Sequence, residues 1–179
     1  MITIISDIDG VLVALSDAVY QSYKQAFAIQ KELFTKDDFR SLLVNQPWRP
    51  DIFKGLYPTI DLDKLRKDKQ RIYKTKPVII NQPLITFFLC LKIQGNELLL
   101  VTGGSEEATK HKLTNVSLKA DKVFCSCQKH SKKFWQAIMC EAKNPNIWLF
   151  DDDKKVYDAV KGLGINVIQY NFKGNQNAG

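Results

Sequence analysis

Two carboxylates, Asp7 and Asp9, close the first apolar run of the chain: residues 2–5 read Ile-Thr-Ile-Ile, and Ser6 leads into Asp7-Ile8-Asp9-Gly10. Alone, that pattern is ordinary turn chemistry, since Asp and Gly serve turns and helix caps. Three further apolar runs end in equally reactive groups. Residues 98–101 lead into Thr102, Gly103, Gly104 and Ser105. Residues 122–126 lead into a basic loop, 128–133, which holds Lys129, Lys132 and Lys133. Residues 146–150 lead into Asp151, Asp152 and Asp153. Crowded carboxylates repel: two unit charges about 4 Å apart cost about 4 kcal/mol at an effective dielectric of about 20. A hard divalent cation removes that cost, and Mg2+ takes one or two carboxylates while sharing phosphate oxygens. The turn at 102–105 can offer N–H groups and hydroxyls to phosphoryl oxygens, and a lysine can offset the remaining negative charge. Together these parts describe a phosphoryl-transfer site with an Asp nucleophile.

Such groups need a scaffold that brings four chain segments to one edge. Residues 2–5, 98–101, 122–125, 146–150 and 166–169 read as strands. A helix is expected over 16–31, with Ser16 as its cap, Asp17 at its positive end, and Val19, Tyr23 and Phe27 spaced four apart. Further helices are expected over 84–93, 106–116 and 132–142. One more is marked by Val156, Val160 and Leu163 and ended by Gly162 or Gly164. Residues 35–76 read as several short helices broken at Pro47, Pro50 and Pro58, with no strand pattern. Alternating strands and helices imply an α/β fold, a doubly wound parallel sheet with helices on both faces. In such sheets ligands bind outside the carboxyl ends of the strands. The expected organisation is an α/β core at 1–13 and 81–173, a small helical cap inserted at 14–80 over the carboxyl edge of the sheet, and a disordered tail at 174–179.

A chain of 179 residues, 45% hydrophobic and 25% charged, suits one soluble globular domain with a small insertion. The longest apolar run, 84–91, falls far short of the ~20 residues that span a membrane. The first residues carry no basic region and hold acids at 7 and 9, which is unlike a secretory signal. The cysteines at 90, 125, 127 and 140 match no zinc or redox spacing, and reduced thiols in a cytoplasmic protein are expected. Cys125 and Cys127, two apart, would share one face of a strand. A net charge of +7 invites polyanions. The stretch 64–76 places Lys64, Lys67, Arg71 and Lys74 on one side of a helix and Leu62, Leu65, Ile72 and Tyr73 roughly opposite, with Lys69 interrupting the apolar side. No nucleic-acid motif or aromatic ladder accompanies it, so a solvated face is expected rather than a nucleic-acid surface. Oligomeric state is not readable.

The four strand ends together resemble the motifs of the haloacid dehalogenase (HAD) superfamily of phosphohydrolases. "DIDGVL" resembles the first motif, DxDx(T/V), and "LLLVTGG" the second. "QKHSKKFW" resembles the third, although no proline follows any of its lysines, and "IWLFDDD" the fourth. The resemblance spans residues 2–170, with the helical block in place of the first-type cap. It implies a Rossmann-like core and a Mg2+-dependent phosphomonoester hydrolase. Asp7 would attack phosphorus to form an aspartyl-phosphate. Asp9 would protonate the leaving group and then activate water, its backbone carbonyl also binding Mg2+. Thr102 would hold a phosphoryl oxygen, beside Gly103, Gly104 and Ser105. Lys129 or Lys132 would neutralise the nucleophile; Lys129 better fits the spacing to the paired acids and to Trp135. Asp152 would bind Mg2+ with Asp151 in support, and Asp153 is able to replace one of them. Asp9 separates the chain from the dehalogenase branch, which lacks that second acid. Lys133, His111 and His130 are expected at the surface. Trp48, Arg49 and Tyr57 of the helical block are expected in core packing rather than against substrate. The expected partner is a small phosphorylated metabolite of the nucleotide or sugar phosphate class. A phosphotransferase or phosphomutase, or a polyanion- or partner-binding protein on the same fold, is the alternative.

Overall fold

The protein is described as a computed structural model covering residues 1–14, 17–44 and 48–172. In chain order its elements are β1 (Thr3–Ser6), α1 (Asp17–Ile29), α2 (Lys36–Leu42), α3 (Pro50–Leu56), α4 (Leu62–Tyr73), α5 (Gln82–Ile93), β2 (Glu97–Val101), α6 (Glu106–Thr114), β3 (Lys122–Phe124), α7 (Lys132–Glu141), β4 (Ile147–Asp151), α8 (Lys154–Val160) and β5 (Asn166–Gln169). The expected cap Ser16, the break at Pro47 and the tail at 174–179 lie outside the described residues. The chain divides into two units, Met1–Leu15 with Val78–Gly179, and Ser16–Pro77.

The first unit is a parallel five-stranded sheet in the order β3-β2-β1-β4-β5. A parallel strand covered on both faces reads as a near-continuous apolar run, and every residue of β1 and β2 is buried. Side chains alternate between faces. Ile4, Leu98 and Leu100 meet Ile85 and Phe88 of α5 in one core. Ile5, Leu99 and Val101 meet Trp135 and Ile138 of α7 and Val156 of α8 in another. Each fully buried Ile or Leu stabilises the fold by about 1.5–3 kcal/mol. Truncating Ile5 to Ala would cost about 2–5 kcal/mol. This is the doubly wound α/β architecture expected from the sequence. Strand order reverses between β1 and β4, which makes their carboxyl ends the topological switch point.

Asn81 fixes the chain as it re-enters this unit. Its side chain accepts the Leu84 amide at 3.4 Å, capping α5, and donates to the Val11 carbonyl at 2.9 Å. Val13 and Ile80 form an antiparallel bridge beside it. Residues 78–80 therefore belong with the sheet rather than with the helical block. The helix after β3 and the strands around it begin and end within two residues of expectation. β3, however, stops at Phe124, and Ser126 takes a φ of 55°. Cys125 and Cys127 thus sit in a loop, not on one strand face; all four cysteines are free thiols.

The second unit is helical. Phe27, Phe34, Phe53 and Tyr57 form its centre, the Phe27 and Phe34 rings stacked at 4.3 Å and Tyr57 edge-on to Phe27 at 4.7 Å. Thr35 and Asp38 form a capping box that starts α2. Pro50 opens α3 instead of breaking a helix, as suits its fixed φ and missing N–H. α4 buries Leu65 and Tyr73 and exposes Lys64, Lys67, Arg71 and Lys74. Lys69, the interruption on the apolar side, places its ammonium 5.2 Å from the Tyr23 ring centre and 5.1 Å from that of Tyr73. Cation–π attraction explains a lysine there. Tyr57 is buried and Trp48 packs on Phe53 at 4.4 Å, whereas Arg49 does not enter the core. Arg49 is exposed and pairs with Asp51 at 2.7 Å, because its donor fork fits a neighbouring carboxylate.

Candidate active site

Strand register builds the site. β1 and β4 pair with Ser6 opposite Phe150, so Asp7 and Asp151 leave the sheet at the same level. The Asp7 amide donates to the Phe150 carbonyl at 2.9 Å. Asp7 is 4% exposed and Asp151 fully buried. A third carboxylate joins them: Asp7, Asp151 and Asp152 each offer an oxygen within 4.8 Å of the others. Gly10 makes room for it. A Cβ there would lie 2.3 Å from Asp152 Oδ2, and the backbone takes a φ of +77° that favours glycine.

Lys129 arrives from the loop after β3. Its ammonium donates to Asp151 Oδ2 at 2.9 Å and to Asp7 Oδ2. Backbone pairing aims it: the Cys127 amide donates to the Thr102 carbonyl at 3.0 Å, and the Ser126 amide to the Gly104 carbonyl at 2.8 Å. The buried Trp135 then donates its indole N–H to the Lys129 carbonyl at 2.6 Å. Lys132 goes elsewhere. It is exposed on the first turn of α7, as is Lys133.

The charges are unbalanced. Burial raises the pKa of Asp7; Lys129 opposes this, while Asp151 and Asp9 add to it. Burial likewise raises Asp151 against the pull of Lys129. Asp152 is pushed up to about 6 by burial and then by Asp151. Burial alone would lower Lys129, but Asp7 and Asp151 outweigh it and hold the ammonium charged. Three carboxylates facing one lysine form an all-oxygen donor set with excess negative charge, which fits a hard divalent cation.

Asp9 is placed differently from the other acids. Its carboxylate pairs with Lys112 Nζ of α6 at 2.6 Å. Lys112 was not singled out from the sequence. The signal available was a Thr109/Lys112 pair one turn apart on a helix that begins beside Thr102. Thr102 is buried, and its hydroxyl accepts the Gly104 amide at 3.0 Å. Gly103 and Gly104 form the turn, while the Ser105 hydroxyl caps α6 through the Ala108 amide at 3.4 Å. Asp153 does not replace a neighbour in the cluster. It accepts the Lys155 amide at 2.9 Å to cap α8 and pairs with the exposed His130 at 2.6 Å. His111 is half-buried rather than exposed.

No family model and no curated protein matches the sequence. Solved structures do. A point mutant of CbbY from Rhodobacter sphaeroides, in complex with xylulose 1,5-bisphosphate, is similar over 98% of this chain and 89% of its own, with TM-score 0.75 and 14% identity. An archaeal β-phosphoglucomutase from Pyrococcus covers 95% of this chain and 86% of its own, with TM-score 0.62 and 23% identity. A Bacillus subtilis protein described as a HAD hydrolase, YfnB, bound to magnesium, covers 97% and 95%, with TM-score 0.74 and 14% identity. The chain therefore has the fold of the HAD-type hydrolases.

Proposed function

We propose that the protein is a Mg2+-dependent phosphohydrolase of the HAD superfamily that works through an aspartyl-phosphate on Asp7. The observation that carries this reading is Asp7 at the switch point, held by Lys129 and crowded by Asp151 and Asp152. The carboxylates of Asp7, Asp152 and Asp151, with the Asp9 backbone carbonyl, would hold Mg2+. When bound, the cation offsets the charge of the carboxylates and of an incoming phosphoryl group. Asp7 attacks phosphorus and the ester bond to the leaving oxygen breaks. Asp9 gives that oxygen a proton, then takes one from the water that hydrolyses the acyl-phosphate. Lys129 holds Asp7 in place and neutralises charge on the phosphoryl oxygens. The Thr102 hydroxyl, already accepting the Gly104 amide, has its own proton to donate to a phosphoryl oxygen. The helical unit is assigned the role of a cap that selects a small phosphomonoester, of the nucleotide or sugar phosphate class.

The complexes of CbbY with a sugar bisphosphate and of YfnB with magnesium support this choice of ligands. A phosphotransferase would share every step except the last, where an acceptor hydroxyl replaces water. A panel of phosphorylated metabolites, assayed with Mg2+ and with EDTA, tests the reading. Release of inorganic phosphate that depends on Mg2+ is expected. A phosphorylated acceptor in place of phosphate identifies the transferase, and no turnover of any panel member contradicts both.

A further inference from the structure

Lys112 is a buried ammonium that the steps above do not use. Its side chain is 7% exposed and that of Asp9, its partner at 2.6 Å, is 23% exposed. An ammonium taken out of water needs a charged partner to stay there. Lys112 lies 103 residues from Asp9 in the chain, so only the fold brings them together.

A second observation marks the same spot. Thr109, one turn before Lys112, is 2% exposed, and its hydroxyl has no hydrogen-bond partner among the described residues. A Cβ built on Gly104 would lie 3.3 Å from the Thr102 hydroxyl, 3.5 Å from that of Thr109 and 3.8 Å from Lys112 Nζ. Three polar side chains thus converge on Gly104, one of the two residues of the turn that lack a side chain. The group tethering Asp9 belongs to the wall that carries Thr102.

Resting on the phosphohydrolase reading, we propose that Lys112 is a positioning residue for Asp9. It fixes the Asp9 carboxylate beside the 102–104 turn, where leaving oxygen and water must both be met. An acid–base group acts only within hydrogen-bond reach of its proton, and a misplacement of about 1 Å can cost about a hundredfold in rate. The effect of Lys112 therefore passes through Asp9.

The test is a double-mutant cycle on the best substrate of the panel, at saturating Mg2+. Lys112→Met should lower kcat about thirtyfold while changing KM less than about threefold, and Lys112→Arg should recover part of the loss. In an Asp9→Asn background, Lys112→Met should change the residual kcat less than about twofold. A kcat for Lys112→Met close to wild type overturns the proposal. So does an equal loss in both backgrounds, which would make the lysine merely structural. Should Lys112→Met not fold, Lys112→Arg in the two backgrounds reads the same coupling. Loss in the wild-type background alone supports the proposal, and equal effects overturn it. Wild-type protein that turns over no substrate is a separate result and overturns the phosphohydrolase reading itself.

Discussion

Two buried carboxylates stand at opposite ends of the same sheet. Asp7 follows β1 at its carboxyl end, and Glu97 opens β2 at the amino end; each is 4% exposed. Glu97 Oε2 accepts the Thr3 hydroxyl at 2.7 Å and the Lys143 amide at 2.7 Å, and Thr3 in turn accepts the Asn144 amide at 3.2 Å. Neutral donors thus satisfy that oxygen and tie β1, β2 and the turn before β4 together. Asp7 instead shares its space with Asp151 and Asp152, with Lys129 between two of them. Burial alone does not separate these two carboxylates. Crowding by like charge at the ligand-binding edge of a parallel sheet does.

The sharpest way to break this contrast is to turn each acid into its amide. Asp7→Asn should reduce kcat by about 10³-fold or more, because an amide cannot form the acyl-phosphate, with the melting temperature little changed. Glu97→Gln should leave kcat within about twofold. It should cost about 1–3 kcal/mol of stability as a neutral amide oxygen replaces the carboxylate that accepts from Thr3 and Lys143, read as a melting temperature lower by about 3–10 °C. Kinetics and thermal melts on the two variants check both halves; a reversed pattern would undo the division of roles.

The loop lysines give the next largest difference. Lys129→Met should lower kcat about a hundredfold, whereas Lys132→Met, on the exposed first turn of α7, should stay within about twofold. Matched steady-state kinetics decide it, and the reverse order would move the third motif three residues along. Asp152→Ala should act on metal rather than on chemistry. The Mg2+ concentration for half-maximal rate should rise about tenfold or more, measured by Mg2+ titration after EDTA stripping. An unchanged Mg2+ requirement would remove Asp152 from the metal site.

How much of this was legible in the sequence depends on the range of the interaction. Runs such as 2–5 and 98–101 carried the parallel sheet, since strands covered on both faces read as near-continuous apolar runs. The four strand ends offered Asp7, Thr102, a basic loop and the acids 151–153 because a parallel sheet gathers its carboxyl ends at one edge, whereas the preference for Lys129 over Lys132 came from the family resemblance. Side-chain partners from distant segments were not legible. Lys112 meets Asp9 across 103 residues, and Asn81 meets Val11 across 70. Both pairings exist only once α5 and α6 are laid against the β1 loop. Local alternatives misled as well. Lys69 looks misplaced until Tyr23 and Tyr73 supply ring faces, and Asp153 reads like its neighbours until α8 claims it as a cap. Cys125 and Cys127 share no strand face because the strand ends one residue earlier than the apolar run suggests.

The basic face of α4 should have the smallest effect. Neutralising Lys64, Lys67, Arg71 and Lys74 together should change small-substrate turnover less than about twofold. The parent protein should bind DNA or RNA no tighter than about micromolar at physiological salt. Tight, salt-sensitive binding that the fourfold variant loses would favour a polyanion-binding protein instead.

The central claim is a covalent phosphate on Asp7, and trapping it is the direct test. Wild-type protein is mixed with its best substrate and Mg2+, quenched in acid, and reduced with borohydride, which converts an aspartyl-phosphate to homoserine. Peptide mass spectrometry should then find homoserine at position 7, and should find none with EDTA or in Asp7→Asn. Turnover that proceeds with position 7 unmodified, or with the label on another residue, would contradict the account.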